Sequence, residues 1–383
     1  MERIYLDHAA TTPLRPEVIE AMLPYFSQNY GNASSLHHFG REARNALNRA
    51  RDLAAELLSC KPAELIFTSG GTESDNLAII GSMFAQFPAK KHVITSKTEH
   101  HAVLGACSYL EKQGFDITYL NVDSNGLLSL GELERSIRPD TGLISVMYGN
   151  NETGVLQPIE QIGEIARSHG ILFHVDAVQA LGSIRIDLSS LPVDFMSFSA
   201  HKINGPKGNG LLYAAAKAPL TPHLHGGQQE RKRRGGTENV PGIVGFAKAL
   251  ELAVENVEQK QRTMQQIRLT FVDQLKKKLG EDNVVLNGHP ELRLPHIANI
   301  SFIGTQTETM LMSLDLAGIA ASSGSACTSG SLEISHVLKS MELADNITAS
   351  AVRFSFGWGI EIETIDTAVK KIATTVERIR KTH

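Results

Sequence analysis

Lys202 closes the run Ser199-Ala200-His201-Lys202, directly after the strand-like Phe195-Met196-Ser197-Phe198, and Asn204-Gly205-Pro206-Lys207-Gly208-Asn209-Gly210 follows it. A lysine at a strand end, flanked by Ser and His and followed by tight-turn glycines, suits a Schiff-base amine held in a cleft. The segment fits a surface lysine in a polar loop equally well. It is not a Walker loop, because the GKS or GKT ending is missing. A second segment, Phe67-Thr68-Ser69-Gly70-Gly71-Thr72-Glu73, runs from a strand through glycines into a helix. Backbone N–H groups at such a helix start, with the Thr72 hydroxyl, make a site for a phosphate; a Gly-Gly-Thr turn is also an ordinary helix cap. In His174-Val175-Asp176-Ala177-Val178-Gln179 a carboxylate ends an apolar strand, where an unpaired charge is costly. Its partner is either a helix start that it caps or a protonated ring nitrogen, which the ion pair would keep protonated as an electron sink.

The elements that must position these residues alternate in kind. Between about residues 40 and 215, apolar runs such as Leu65-Ile66-Phe67-Thr68, His92-Val93-Ile94-Thr95, Leu143-Ile144-Ser145-Val146-Met147 and Ile171-Leu172-Phe173-His174-Val175 alternate with helical periodicity. Such alternation predicts an α/β fold with a mainly parallel sheet covered by helices on both faces, and ligands gather at the carboxyl ends of its strands. From Gly242 to about Leu279 the period is helical throughout, which predicts a long spine helix, continuous or interrupted. Beyond it, Ile297-Ala298-Asn299-Ile300-Ser301-Phe302, Val352-Arg353-Phe354-Ser355-Phe356 and a closing helix near 361–380 read as a smaller α+β domain. The expected division is a large domain over 15–261 and a small one made of 1–14 and 262–383.

The 383 residues exceed one compact core, and 42% hydrophobic with 20% charged residues is ordinary globular composition. A net charge of −4 gives no electrostatic reason for nucleic-acid or membrane-surface binding. No apolar run reaches the roughly 20 residues of a membrane span, and Met1-Glu2-Arg3-Ile4-Tyr5-Leu6-Asp7-His8 is not a secretory signal. Three scattered cysteines, Cys60, Cys107 and Cys327, form neither a disulfide framework nor a metal knuckle, and imply a cytoplasmic, thiol-reducing home. The 15 histidines make no HExxH pattern, so no intrinsic metal is expected. Arg231-Lys232-Arg233-Arg234 reads first as a solvated loop, and its place just before Thr237 allows a second role near a ligand or subunit interface.

Taken together, the motifs carry a resemblance. Asp7-His8-Ala9-Ala10-Thr11-Thr12-Pro13, Gly70-Gly71-Thr72-Glu73, Thr98-Glu99-His100-His101-Ala102-Val103, Asn150-Asn151-Glu152-Thr153-Gly154, His174-Val175-Asp176-Ala177-Val178-Gln179 and Ser199-Ala200-His201-Lys202 fall in one order along the chain. Arg234-Gly235-Gly236-Thr237-Glu238-Asn239, Ser322-Ser323-Gly324-Ser325-Ala326-Cys327 and Val352-Arg353-Phe354-Ser355 continue it. This resembles the cysteine desulfurase family of fold-type-I pyridoxal-phosphate enzymes over essentially the whole chain. The resemblance implies that Lys202 bonds pyridoxal 5'-phosphate, that His100 stacks on its ring and shuttles protons, that Asp176 pairs with the ring nitrogen, and that Gln179 bonds the ring hydroxyl. Gly71, Thr72, Ser199 and His201 would hold the phosphate, joined by Thr237 of the partner subunit in a homodimer. Asn151 and Arg353 would hold the substrate, Arg353 by a bidentate grip on its carboxylate.

Cys327 separates this family from others with the same lysine. Its neighbours, Ser322-Ser323-Gly324-Ser325-Ala326-Cys327-Thr328-Ser329-Gly330-Ser331, are too small to pack a core, so the segment is expected to be exposed and mobile, unlike Cys60 and Cys107, which read as buried apolar residues. Its continuation into Ser335-His336-Val337-Leu338 resembles the family's long-loop class. The implied reaction takes sulfur from free L-cysteine, leaves L-alanine and a Cys327 persulfide, and passes the sulfur to an acceptor protein. The chain stops at Arg380-Lys381-Thr382-His383, so the scaffold-docking C-terminal extension of some members is expected to be missing. The acceptor is then an iron–sulfur scaffold, whose cluster Cys327 would touch only in passing, or a tRNA-thiolating enzyme. Selenocysteine cleavage or transamination on the same cofactor, and a non-enzymatic sulfur carrier, are the alternatives.

Overall fold

The computed structural model describes residues 3–324 and 334–382. Among them, twelve strands form three sheets: β1 Ile4–Tyr5, β2 Leu65–Thr68, β3 His92–Ser96, β4 Asp116–Leu120, β5 Thr141–Met147, β6 Leu172–Asp176, β7 Phe195–Ser199, β8 Gly210–Ala214, β9 Val284–Asn287, β10 Ile297–Phe302, β11 Ile319–Ala320 and β12 Ala351–Ser355. The largest sheet has the order β2-β8-β7-β6-β5-β3-β4, parallel from β7 to β4, with β8 antiparallel to both its neighbours. Residues β2, β3, β5, β7 and β8 contribute are all buried, because both faces are covered. Successive residues feed opposite cores: Ile94, Ile144, Met196 and Leu211 pack on one face, while Val93, Leu143, Phe195 and Leu212 pack on the other. The edge strand β4 starts at the exposed Asp116, paired with Arg138, which blunts an open edge.

Helices α1 Pro16–Met22, α2 Pro24–Ser27, α3 His38–Leu57, α4 Gly71–Gln86 and α5 His101–Lys112 precede or wrap the first half of this sheet. Two tight approaches require glycine. A Cβ on Gly210, at the head of β8, would lie 2.5–2.7 Å from the Gly70 backbone, and one on Gly71 would lie 2.7 Å from Val178 Cγ2. These contacts bring the start of α4 against the ends of β6 and β7.

The expected spine helix is two helices, Val240–Val254 and Val257–Leu279, broken at Asn256, whose φ is +52°. Asn tolerates the left-handed region better than most residues, and the Lys260 ammonium bonds the carbonyls of Leu252 and Ala253 at the end of the first helix. A second core gathers Ile4 and Leu6 with Phe271, Phe302, Phe354 and Phe356 around the antiparallel sheet β12-β10-β9 and the closing helix Ile362–Thr382. β1 pairs in parallel with β11, so the chain starts in this core before Asp7–Pro13 crosses to the large sheet.

Arg231–Arg234 is not a free solvated run. Glu230 is buried and pairs with buried Arg51 at 2.6 Å while accepting from Phe67 N at 3.1 Å. Removing either charge would strand the other, at about 3–5 kcal/mol. Arg233 donates to the Ala63 carbonyl at 2.7 Å, and Arg234 grips Glu73 of α4 at 2.9 Å. Glu230, Arg231 and Lys232 all take positive φ, a strained turn held by these anchors. No helix among the described residues is long and apolar enough to cross a membrane.

Candidate active site

β2, β6 and β7 run the same way, so their carboxyl ends share one edge. Register across β8 places Thr68 and Ser199 on either side of Gly210, and Asp176 pairs with Ser197. At this edge α4 begins, and its first N–H groups have no partner inside the helix. Thr68 Oγ1 bonds Ser74 Oγ at 2.8 Å, and Glu73 Oε2 accepts from Ser69 N at 2.8 Å, fixing the turn around Gly71 and Thr72. A Cβ built on Gly71 would be 3.7 Å from Ser199 Cβ, so Ser199 borders the same hollow. His201, one residue before Lys202, meets Thr11 Oγ1 through Nδ1 at 3.2 Å, and burial, then Lys202, push its pKa down to about 4.

Lys202 ends the short turn Ala200–Lys202 after β7. Its Nζ donates to the carbonyls of Ala9 at 2.5 Å and Ala10 at 2.9 Å, and the Gln179 amide donates to the same Ala9 carbonyl at 2.8 Å. Asp176 is the last residue of β6 and is buried; it accepts from Val178 N at 2.9 Å. Burial first, then the neighbouring Asp75 carboxylate, push its pKa up to about 7. His100 caps α5, its Nδ1 accepting from Ala102 N at 3.2 Å, which leaves the proton of the neutral ring on Nε2. Burial, then Lys202, hold its pKa near 4, so a neutral imidazole faces the lysine.

Arg353, on β12, reaches this edge from the second core. Its guanidinium donates to Asp7 Oδ1 at 2.8 Å and to the Asn151 carbonyl at 2.9 Å. Its backbone exchanges hydrogen bonds with Ser322, the strand that leads toward Cys327. Cys327 itself lies outside the described residues. The described residues on either side of that segment both meet Glu152: a Cβ on Gly324 would lie 2.5 Å from its Oε2, and Ser335 Oγ hydrogen-bonds it. Thr237 is exposed, on the segment that Arg234 ties to α4.

The structure therefore gathers Gly71, Thr72, Gln179, Asp176, Ser199, His201, Lys202 and His100 at one sheet edge, with Asn151 and Arg353 beside it. Four carboxyl groups escaped notice in the sequence: Asp7, Asp75, Glu99 and Glu152. Each sat inside or beside a quoted motif, and that was the available signal. A ring-bearing aldehyde phosphate with a cationic nitrogen fits what is present. Unpaired amides meet its phosphate, an amine its aldehyde, and a buried carboxylate its cation.

The same burial makes stability pH-dependent. His8, His100, His174 and His201 titrate near 4 and His296 near 3, so between those values and the unfolded value of about 6.5 only the unfolded chain is protonated. Stability then falls as pH drops through this window. Asp75, Glu99, Glu152, Asp176 and Asp194, all raised by burial, keep protons in the fold and act in the opposite sense, but with His92, His101 and His336 also lowered the imidazoles outnumber them. Thermal unfolding should occur about 10 °C lower at pH 5 than at pH 7; an unchanged midpoint would show these imidazoles already charged in the fold.

Comparison with known proteins follows the same lines. Residues 4–367 match the family model described as aminotransferase class-V. The chain is 50% identical to the putative cysteine desulfurase IscS 1 of Bacillus subtilis, covering 99% of this chain and all of that one. It is 48% identical to the cysteine desulfurase IscS of Methanosarcina thermophila, over 98% of this chain and 93% of that one. Among solved structures, one described as a NifS-like protein matches with a TM-score of 0.92 at 38% identity, covering 98% of this chain and all of that chain. Another, SspA in complex with cysteine, matches at 0.80 and 37% identity, over 92% of this chain and 98% of its own.

Proposed function

This chain belongs to the class-V aminotransferase family and is a pyridoxal-phosphate-dependent cysteine desulfurase, and from that premise we propose how its own residues divide the work. Gly71, Thr72, Ser199 and His201 hold the cofactor's phosphate, Asp176 its ring nitrogen and Gln179 its ring hydroxyl, while His100 covers the ring. Bound there, pyridoxal phosphate supplies an electron sink for charge developing at the substrate's α-carbon. Lys202 anchors the cofactor and, once displaced by substrate, takes the α-proton on Nζ, with the neutral His100 beside it. Arg353 grips the substrate carboxylate and Asn151 lines the same place. The Cys327 thiolate attacks the substrate sulfur: a sulfur–sulfur bond forms, the carbon–sulfur bond breaks, and the three-carbon remainder takes up protons and leaves as alanine. No net oxidation is needed.

The single supporting observation is the convergence of unpaired amides, amine and buried carboxylate on one sheet edge. Incubation with cysteine and pyridoxal phosphate should yield equal amounts of alanine and transferred sulfur; absence of alanine would overturn the reading. Arg353→Lys should raise KM for cysteine about 10- to 100-fold, since a point charge replaces a planar fork. Steady-state alanine formation reads this, and an unchanged KM would remove Arg353 from substrate binding.

We place this activity in a cytoplasmic homodimer. Supporting the dimer are Leu23, Phe26, Tyr30 and Leu36, exposed large apolar residues close in sequence, and the exposure of Thr237. The large domain spans 15–261, and the small one combines 1–14 with 262–383, as the shared core of Ile4, Leu6 and Phe354 supports. The persulfide passes to an iron–sulfur scaffold or a tRNA-thiolating enzyme.

A further inference from the structure

Beneath Asp176 lies a second buried carboxylate with no role so far. Asp75 sits one turn into α4 and is 1% exposed. Its Oδ1 has no hydrogen-bond partner, although His174 Nε2 stands 3.5 Å away, turned to Ser197 Oγ at 3.0 Å. Ligating atoms of Asp75, Asp176 and His100 all lie within 4.8 Å of one another. We propose that Asp75 is a positioning residue for the cofactor: acting through Asp176, it adds a second negative charge, so that a carboxylate pair holds the proton on the ring nitrogen. This rests on the pyridoxal-phosphate reading above.

A buried polar chain runs beside Asp75. His174 is fully buried, and burial pushes its pKa down to about 4, so it is neutral, with one ring nitrogen donating and one accepting. The Ser197 hydroxyl draws the Asp75 pKa down against the upward push of burial. Its oxygen also bonds His174 Nε2 at 3.0 Å, and His174 Nδ1 bonds Ser145 Oγ at 2.8 Å. The chain spans β5, β6 and β7 beneath the site and ends on α4, which presents Gly71 and Thr72 one turn earlier.

Other titratable groups face the pair. Glu99 is fully buried and accepts from Met147 N and Ser96 Oγ at 3.0 Å each; burial raises its pKa well above the usual range. His100 and His174 are neutral, and the Cys107 thiol is raised by burial and protonated. The Lys202 ammonium lowers the Asp176 pKa while donating to the Ala9 and Ala10 carbonyls. Two buried carboxylates this close repel, and each drives the other toward its protonated form unless a cation joins them. A cationic ring nitrogen is such a partner. Protons and cofactor therefore compete for the pair.

Asp75→Asn keeps the shape and an oxygen for Ser197 while removing the charge. Full-length holoenzyme of each form, dialysed between pH 5.5 and 8.5, would report retained pyridoxal phosphate by its absorbance. Near pH 8 the variant should bind about tenfold or more weakly, and its deficit relative to wild type should shrink toward pH 5.5, where the wild-type pair is protonated. Any pH dependence from Lys202 is common to both forms and cancels in the ratio. Ser197→Ala, which keeps the charge but removes the hydroxyl that draws the Asp75 pKa down, should move the midpoint of that ratio to higher pH. A ratio that stays constant across pH, or a variant that melts lower yet retains cofactor like wild type, would overturn the inference and leave Asp75 as a core polar group. Failure of wild type itself to retain cofactor at any pH would instead overturn the functional reading.

Discussion

Lys202→Ala is expected to purify colourless and to form alanine from cysteine at least about 10³-fold more slowly than wild type, because one side chain is both the covalent anchor and the proton acceptor. The fold should survive. Nζ bonds the Ala9 and Ala10 carbonyls, and the Ala9 carbonyl keeps its second donor, the Gln179 amide, at 2.8 Å. The melting temperature should therefore change by only a few degrees while activity collapses. Absorbance and alanine release measure the two effects on the same preparation. A yellow, active Lys202→Ala enzyme would refute the assignment of the lysine.

Cys327→Ser is expected to abolish protein-bound persulfide while leaving the cofactor colour intact. A hydroxyl at this position is neither ionised at neutral pH nor a good nucleophile toward sulfur. The other two cysteines cannot substitute. Burial pushes the half-buried Cys60 thiol up to about 12, and it raises the buried Cys107 thiol further still, so both remain protonated. Cys60→Ser should accordingly keep full persulfide yield, which makes it the control. If Cys327→Ser retained cysteine-dependent alanine formation with persulfide elsewhere on the chain, the nucleophile would be reassigned. If it retained turnover of selenocysteine or an amino-group acceptor, the reaction class itself would change.

Residue type and spacing along the chain determined the alternation of strand and helix, the parallel sheet, and the chemical cast of Gly71, Thr72, Asp176, Ser199, His201 and Lys202. Each of these sits at a strand end or a helix start, positions defined by neighbours a few residues away. The break at Asn256 was hidden because apolar periodicity continued through it; only Lys260 folding back on Leu252 and Ala253 marks the stop. Arg231–Arg234 looked solvated because charge alone is visible in a sequence, whereas Arg51, Ala63 and Glu73, which tie the segment down, lie more than 150 residues earlier. Tertiary structure alone decided which charges stand together. Asp7 meets Arg353 across almost the whole chain, Glu152 meets Ser335, and Asp75 meets Asp176 through the packing of α4 on the sheet. An acidic residue near a helix start reads the same whether water or a second buried carboxylate surrounds it. Lys202 was legible as an amine in a cleft, but its proton chemistry depends on a neutral His100 and a paired Asp176. Those states arise from burial and close charges, which exist only once the chain has folded.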